Sequence, residues 1–330
     1  MRTAVAMSAV SGKPLHVRNI RASRESPGLK MQHLEGIKAI AELCNGELKG
    51  AVLGSREIFF RPGKLQAKPL SIHVSTAGSI GLVFQSLMIP AAQAGGPVTI
   101  RVTGGATFGK FAPPVPYIQS VLLPVLERMG YNADIVVNRQ GFYPKGGADA
   151  TITIQPFSEL RPLKLLDCGA ASEIEGVSIA STHLERNQVA ERQAQAAAEV
   201  LKKDGLTGRI RPLYVESECP GSGMVLWVKT AEGCIFGADS LGEFRKPSEA
   251  VGREAAEKLV ATLKSGATVD PHLSDQLLPA MAFAPGTSSM VVPEITMHAK
   301  TNMWVIQQFR DIGFENVAVD RGYRLDCFVL

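Results

Sequence analysis

Residues 296–302, with the sequence TMHAKTN, carry the side chains of this chain that are best suited to covalent chemistry. Polar residues in this segment alternate with apolar or small ones, which predicts a strand with one polar face. A helix is predicted to follow, capped by Asn302 and ended by Gly313. Because a helix N-terminus attracts anions, a phosphate would lie within reach of His298. The pattern favours phosphoryl or nucleotidyl transfer, with a hydrogen-bonded structural histidine as the alternative.

A second group of phosphate-binding candidates lies in residues 17–34. A strand runs towards Arg21 and Arg24, and a helix follows with Gln32 and His33 in its first turns. Two guanidinium groups ahead of a helix start can bind a phosphate through paired hydrogen bonds. A solvated basic loop is the alternative.

Two further loops precede predicted helices. The small residues at 75–79 lead into a helix that carries Gln85, and residues 272–276 (HLSDQ) place Asp275 in a predicted first turn. A carboxylate at that position is also expected simply because it opposes the helix dipole, and the first loop is equally consistent with an ordinary helix cap. Neither loop identifies a site on its own.

Composition indicates a globular protein of two domains. The chain has 330 residues, of which 45% are hydrophobic and 20% charged, and its net charge of +4 permits a local nucleic-acid-binding patch without requiring one. The five cysteines are odd in number and form no CxxC pair, so neither a disulfide framework nor a zinc site is indicated and a cytoplasmic location is expected. No apolar run approaches the roughly 20 residues of a membrane span, and no signal peptide is recognisable.

A pattern of helix, glycine, strand, glycine and strand occurs three times, with its first glycine at Gly46, Gly130 and Gly313. The second interval exceeds the first by 99 residues, at 183 against 84, which predicts an inserted domain. We predict an α+β fold in which residues 1–171 and 267–330 form a large domain of three βα repeats and residues 172–266 form a small α/β domain.

Six segments resemble the RNA 3′-terminal phosphate cyclase family, in the same order and along nearly the whole chain. They are IRASRESPGLKMQHL, GAVLGSREIFFRPG, STAGSIGLVFQ, QGFYPKGG, HLSDQLLPAMA and TMHAKTN. The resemblance implies three repeats similar to the C-terminal domain of translation initiation factor three, with an inserted thioredoxin-like domain. It also implies use of ATP to convert an RNA 3′-terminal phosphate into a 2′,3′-cyclic phosphate, with release of AMP and diphosphate.

The resemblance also assigns roles to single residues. His298 matches the nucleophile that forms a covalent histidine–AMP intermediate. The residues expected to bind phosphate or RNA are Arg2, Arg21, Arg24, Gln32 and His33. Those expected to contact ATP are Gln85, His272, Leu273, Ser274, Asp275 and Gln276, where His272 stands at a position that is tyrosine in many family members. RNA 3′-phosphate ends and ATP are the expected partners, with no membrane and with an oligomer possible.

One feature of the family is not matched. Family members carry a strand and a glycine-rich loop with a cation-binding glutamate before the Arg-Thr-Ala that is found here at residues 2–4. A divalent cation, Mg²⁺ or Mn²⁺, is expected, but its ligands are unassigned, and we expect a misassigned start codon or a truncation. The alternative function is a catalytically impaired cyclase-like scaffold for RNA processing. The presence of His298 favours the enzyme, because such scaffolds lack the nucleophile.

Overall fold

The computed structural model describes all 330 residues, Met1–Leu330, as nine α-helices and fifteen β-strands in four sheets. The helices are α1 (Arg2–Ser11), α2 (Met31–Leu43), α3 (Ile80–Ala92), α4 (Val115–Tyr117), α5 (Leu123–Arg128), α6 (Val189–Lys203), α7 (Ser248–Ser265), α8 (Pro271–Met281) and α9 (Met297–Gln307). The strands are β1 (Leu15–Val17), β2 (Glu47–Lys49), β3 (Ile58–Arg61), β4 (Leu70–Ser79), β5 (Val98–Ala106), β6 (Ala133–Arg139), β7 (Asp149–Ile154), β8 (Lys164–Leu165), β9 (Ala171–Ser181), β10 (Arg209–Val215), β11 (Ser222–Thr230), β12 (Ile235–Leu241), β13 (Ser288–Val292), β14 (Ile312–Val319) and β15 (Gly322–Val329). The predicted α+β class is confirmed.

Two of the four-stranded sheets share one arrangement of strands. Their orders are β4-β5-β7-β6 and β8-β13-β15-β14. In each sheet the first pair is parallel and the remaining pairs are antiparallel. The sheet nearest the N-terminus has three strands in the order β1-β3-β2, all antiparallel, so β1 pairs along one edge only.

An antiparallel strand pair follows a helix at each of the three glycine-marked segments. The pairs are β2–β3, β6–β7 and β14–β15. In the first segment β2 is short and ends at Lys49. Gly50 has φ of +74°, and a Cβ atom on it would lie 2.7 Å from the Glu57 carbonyl oxygen, so the backbone turns at a position that only glycine occupies without strain.

The fourth sheet, β10-β9-β11-β12, has two helices on one face. Helices α6 and α7 pack against each other and against this sheet. They approach closely because Gly252 has no side chain: a Cβ atom there would lie 2.0 Å from the Gln193 carbonyl oxygen. Aromatic rings from the preceding part of the chain, Phe108 and Phe142, lie against glycines at the start of β11, Gly223 and Gly221.

One hydrophobic core of 90 buried residues runs through most of these elements, and β1, β2 and β10 contribute only partly buried side chains to it. Its largest fully buried side chains include Tyr117, Tyr131, Phe60, Phe84 and Phe236. All five cysteines are buried and free. No helix combines the length and the apolar composition that crossing a membrane requires.

Candidate active site

Helix α9 places His298 in its first turn, at the surface. The Thr296 side chain caps the helix, since its Oγ1 accepts a hydrogen bond of 3.0 Å from the Ala299 N–H. The strand predicted over residues 296–300 is therefore wrong, and so is the prediction of Asn302 as the cap. A five-residue alternation is too short to exclude a helix, whereas burial of Ala299, Met303 and Ile306 follows the three-to-four residue spacing of one helical face.

The predicted end of this helix is also wrong. It ends at Gln307, and Ile312 and Gly313 begin β14 instead of closing the helix. Phe309 and Ile312 are buried in the core although they lie beyond the end of the helix. Their three-residue spacing makes the helix appear longer in the sequence than it is.

Asn302 joins three helices one turn below His298. Its Oδ1 accepts a hydrogen bond of 2.7 Å from Thr3 Oγ1 on α1, and its Nδ2 donates one of 3.0 Å to the Asp275 carbonyl oxygen on α8. Residues four apart lie on the same face of a helix, so these bonds also hold the face that carries His298. The sequence gives no signal for Thr3, because its partner is 299 residues away.

A cleft between α1, α3, α8 and α9 collects four of the predicted site residues. Its polar lining includes Arg2, Gln85, Asp275 and Gln276, and its apolar lining includes Met7, Met88, Ile89, Leu122, Leu126 and Pro279. The Gln85 Nε2 donates a hydrogen bond of 2.6 Å to Gln276 Oε1. The Gln276 Nε2 in turn donates one of 2.7 Å to the His272 carbonyl oxygen, so the two glutamines link the cleft to the start of α8.

Asp270 holds the start of α8 in place. Its Oδ1 accepts hydrogen bonds from the His272 and Leu273 N–H groups, both of 2.9 Å. Its Oδ2 accepts one of 2.7 Å from the Tyr117 hydroxyl and one of 3.0 Å from the Gly237 N–H. The carboxylate is buried, and these four donors compensate its loss of hydration.

Asp275 lies in the second turn of α8, so its predicted position in the first turn is wrong. Asp270 is the cap and Pro271 the first helical residue. Aspartate followed by proline is a sequence signal for a helix start, and it would have placed the boundary correctly.

The predicted run at residues 272–276 divides between the cleft and the core. Leu273 and Ser274 are fully buried, and the Ser274 hydroxyl donates a hydrogen bond of 2.8 Å to the Pro271 carbonyl oxygen. Their side chains face the interior. His272 is exposed, and Asp275 and Gln276 are half-buried at the cleft.

The predicted basic loop uses some of its polar groups for its own backbone. Arg21 Nη1 donates hydrogen bonds to the Ser26 and Gly28 carbonyl oxygens, at 2.6 and 3.3 Å. Gln32 Oε1 accepts one of 3.0 Å from the Ser79 N–H at the start of α3. The Arg24 guanidinium is exposed and makes no hydrogen bond to protein, so it is free to bind an anion.

The electrostatic environment favours neutral imidazoles at this site. Burial lowers the pKa of His298, and the positive charges of Arg2, Arg24 and His272 lower it further. Burial, followed by the charges of Arg2 and Arg21, lowers the pKa of His33 to about 4. Arg2 acts on both rings, which shows that His298 and His33 share one positive environment.

Asp275 is the acidic group of the cleft. Burial raises its pKa to about 6, while the charges of His272 and Arg2 oppose that rise. Burial also lowers the pKa of Arg2, and the Asp275 carboxylate opposes this shift. The two side chains therefore stabilise each other's charge inside the cleft.

The sequence resemblance implies a divalent cation, which side chains of this chain would have to bind. Nowhere among the 330 residues do three histidine, cysteine, aspartate or glutamate side chains come close enough together to hold a metal ion. The residues present therefore offer no site in which protein side chains alone would hold such a cation.

An imidazole held neutral among guanidinium groups, beside a cleft with an acid and two amides, can act as a nucleophile towards a phosphorus atom. An α+β fold with this site defines a class of proteins suited to nucleotidyl transfer. Comparison with known proteins gives the particular family. A family model described as RNA 3′-terminal phosphate cyclase matches residues 1–316.

Several archaeal proteins named RNA 3′-terminal phosphate cyclase are similar to this chain over almost its full length. The protein of Methanopyrus kandleri is 42% identical over 323 residues, which cover 96% of this chain and 90% of that protein. The protein of Pyrococcus abyssi is 44% identical over 310 residues, covering 94% and 89%, and that of Pyrobaculum aerophilum is 42% identical over 328 residues, covering 99% and 93%. The chain belongs to the RNA 3′-terminal phosphate cyclase family.

Proposed function

We propose that this chain uses ATP to convert the 3′-terminal phosphate of RNA into a 2′,3′-cyclic phosphate, releasing AMP and diphosphate. The observation that carries the proposal is the position of His298. It lies exposed at the start of α9, in the field of Arg2 and Arg24, on a helix whose Asn302 is hydrogen-bonded to the cleft residue Asp275.

The first step is transfer of AMP to His298. A ring nitrogen attacks the α-phosphorus of ATP, the bond from that phosphorus to the α–β bridging oxygen breaks, and diphosphate leaves with the electron pair. The ring, which carries a positive charge after the attack, then loses its one N–H proton to solvent. The lowered pKa of His298 keeps the attacking nitrogen unprotonated near pH 7, and neighbouring guanidinium groups neutralise the charge on the phosphate oxygens.

Two further transfers complete the reaction. An oxygen of the RNA 3′-phosphate attacks the adenylyl phosphorus and displaces the imidazole, which is a good leaving group once protonated. The adjacent 2′-hydroxyl then attacks the RNA phosphorus and loses its proton to solvent, while the bond from that phosphorus to the oxygen bridging it to the adenylyl group breaks and AMP leaves with the electron pair. The 2′-hydroxyl and the 3′-phosphate are attached to the same ribose, so the last step has the rate advantage of an intramolecular reaction.

The predicted site residues receive roles on this basis. We propose that Gln85, His272, Asp275 and Gln276 bind ATP with their side chains, and that Leu273 and Ser274 act through the helix they help to anchor. Arg2, Arg24 and His33 are proposed to bind phosphate groups. Arg21 and Gln32 are proposed to shape the loop and to reach phosphate with the atoms that their backbone contacts leave free.

We also propose a finer architecture. Residues 1–171 and 267–330 would form a large domain of three repeats similar to the C-terminal domain of translation initiation factor three. The shared strand order of the sheets β4-β5-β7-β6 and β8-β13-β15-β14 supports this division. Residues 172–266 would form a thioredoxin-like insertion, which the chain order β9-α6-β10-β11-β12-α7 supports. A cytoplasmic location and an oligomer stay predictions.

Incubation of the purified chain with ATP labelled at the α-phosphate tests the proposal. We expect an acid-labile label on the protein, reduced by about three powers of ten or more in His298→Ala because the attacking atom is gone. His183→Ala, which removes an exposed histidine from the inserted segment, is the matched control and should label normally. Full labelling of His298→Ala contradicts the mechanism, and a folded wild-type chain that binds RNA but takes no label supports the scaffold function instead.

A further inference from the structure

Three loops meet at one surface beside the candidate active site. They comprise residues 107–114 between β5 and α4, 140–148 between β6 and β7, and 242–247 between β12 and α7. Lys110 connects them: its Nζ lies 3.3 Å from Glu243 Oε1 and 5.4 Å from the centre of the Tyr143 ring. We call Lys110, Phe111, Tyr143, Lys145, Phe244 and Arg245 the aromatic–basic surface.

Each of the three loops presents an aromatic ring to solvent. Phe111 is fully exposed, and Phe244 and Tyr143 expose 91% and 61% of their surface. Isolated exposed apolar side chains are ordinary on a protein surface. Three exposed aromatic rings on neighbouring loops instead form an apolar patch that a ligand could cover. Rings in such an arrangement are suited to stacking with flat partners.

Two of these residues have a strained backbone. Phe111 has φ of 58° and Arg245 has φ of 66°, in the left-handed region that bulky residues avoid at a cost of about 1–2 kcal/mol. Glycine would occupy either position without strain, and no packing of the Phe111 ring offsets its cost. Strain of this kind collects where function requires a particular side chain.

The surface has an excess of positive charge. Lys145 and Arg245 form no ion pair. Lys110 is paired with Glu243, which is the acidic residue that contacts it. The Arg245 guanidinium lies 5.3 Å from the centre of the Phe244 ring, so a cation and a ring are presented together. This charge favours an anionic partner over a neutral apolar one.

The loop of residues 107–114 contacts a residue that is bonded to the candidate active site. Gly109 packs against Ser79, since a Cβ atom on it would lie 2.6 Å from Ser79 Cβ, and the Ser79 N–H is hydrogen-bonded to Gln32. A linear ligand can therefore extend from the site onto this surface.

We propose that the aromatic–basic surface binds the single-stranded RNA segment that precedes the terminal phosphate. Bases would stack on Phe111, Tyr143 and Phe244, while Lys145 and Arg245 pair with backbone phosphates. Proteins that hold single strands without sequence preference combine these two features, because every base has a flat face and every nucleotide a charge. The identity of the ligand rests on the proposed function, whereas its single-stranded, anionic and aromatic character rests on the surface itself.

Fluorescence anisotropy with a labelled single-stranded RNA of about 12 nucleotides ending in a 3′-phosphate tests this inference. Each lost stacking contact weakens binding by about five- to a hundredfold, so Phe111→Ala/Phe244→Ala should bind at least about tenfold more weakly than wild type. Phe244→Trp should retain binding because it keeps a ring. Tyr323→Ala, which removes an exposed ring outside the surface, is the control and should bind as wild type does.

The charged residues have a separate test in the salt dependence of binding. Lys145→Gln/Arg245→Gln should lower the slope of log affinity against log salt by about 1.4, because two phosphate contacts are removed from a single strand. An unchanged slope together with unchanged affinity of the aromatic variant overturns the inference. An RNA affinity insensitive to all four substitutions would show that RNA does not bind at this surface.

Labelling by ATP alone separates this inference from the proposed function. Phe111→Ala/Phe244→Ala should take the label on His298 at the wild-type rate, while KM for the RNA in cyclisation rises and kcat is retained. If wild type takes no label but loses RNA affinity through these substitutions, the proposed function fails and the surface stands. If labelling and cyclisation are normal and the double variant binds RNA as wild type does, the surface fails and the proposed function stands.

Discussion

His298 shows how far single residues could be predicted. A histidine at a predicted helix start pointed to phosphorus chemistry. In the structure, Arg2 and Arg24 lie where their charges act on the ring. The local backbone was not predictable, because five alternating residues fit a strand and the first turn of a helix equally well. The role of Asn302 was hidden for a different reason: its partners are fixed by tertiary packing.

The pH dependence of self-labelling is expected to follow the pKa of His298. Burial and the neighbouring positive charges lower this pKa, so the neutral, reactive ring persists below the usual histidine range and the acidic limb of the profile lies below pH 6.5. Arg24→Gln removes one of those charges and should move the limb to higher pH. The measurement is the single-turnover labelling rate between about pH 5 and pH 8, normalised to its maximum.

Arg18→Gln is the matched control for that profile. Arg18 is an exposed arginine of the same region, and its Nε lies 3.6 Å from Glu57 Oε1, away from the groups that act on His298. A limb that moves to lower pH in Arg24→Gln, or that moves equally in both variants, contradicts the electrostatic account.

At the scale of elements, helices were predicted at α2, α3, α8 and α9, while α1 and the bonds that orient these helices were not. The starts of α2 and α3 agree with the sequence signals, because Gln32, His33 and Gln85 lie on the helices expected to carry them. The start of α8 depends on Asp270, which also receives bonds from Tyr117 and Gly237. Sequence can indicate the cap but not these distant donors.

Removing the Asp270 carboxylate is expected to be costly. Asp270→Ala leaves the Tyr117 hydroxyl and the Gly237 N–H without their buried partner and removes the cap of α8, so the free energy of unfolding should fall by about 3–5 kcal/mol. Urea unfolding measures this change. Asp134→Ala, at an exposed aspartate with no ion pair, should change stability by less than about 0.5 kcal/mol, and equal effects of the two would refute the assignment.

The contact between α1, α8 and α9 gives a second test at this scale. Asn302→Ala removes two hydrogen bonds, which should lower the free energy of unfolding by about 1–3 kcal/mol and slow labelling of His298 because α9 is less firmly oriented. Gln308→Ala, at the exposed residue that follows the last residue of the same helix, is the control. Unchanged labelling in a destabilised Asn302→Ala would mean that the bonds serve stability alone.

At the scale of the whole molecule, the α+β class followed from three recurrences of helix, glycine, strand, glycine and strand. What the sequence could not show is that the sheets β4-β5-β7-β6 and β8-β13-β15-β14 share one order, because β8 has only two residues and carries no pattern. Strand order is decided by which edges meet in the folded core, and periodicity reports only the faces of single elements.

Asp239 on β12 is expected to make stability depend on pH. Burial raises its pKa from 3.8 to about 6, against the lowering effect of His272 and Lys258. Because the folded-state pKa is the higher one, the stability associated with the bound proton is present below pH 3.8 and is lost as pH rises through about 6. Asp239→Asn should therefore gain stability relative to wild type on going from pH 4 to pH 7, by up to about 3 kcal/mol. Urea unfolding of both proteins at pH 4 and pH 7 measures this difference. A larger stability advantage of Asp239→Asn at pH 4 than at pH 7 would contradict the predicted direction.

The hydrogen bond between Thr3 and Asn302 has a consequence for how the chain is made. It connects two residues 299 positions apart, so the cleft cannot be assembled until almost the last residues have left the ribosome. A nascent chain therefore cannot gain stability from bound nucleotide during its synthesis. Interrupted translation products that lack α9 would lose both His298, the proposed nucleophile, and Asn302, and we expect them to take no label from ATP even where the earlier sheets had already folded.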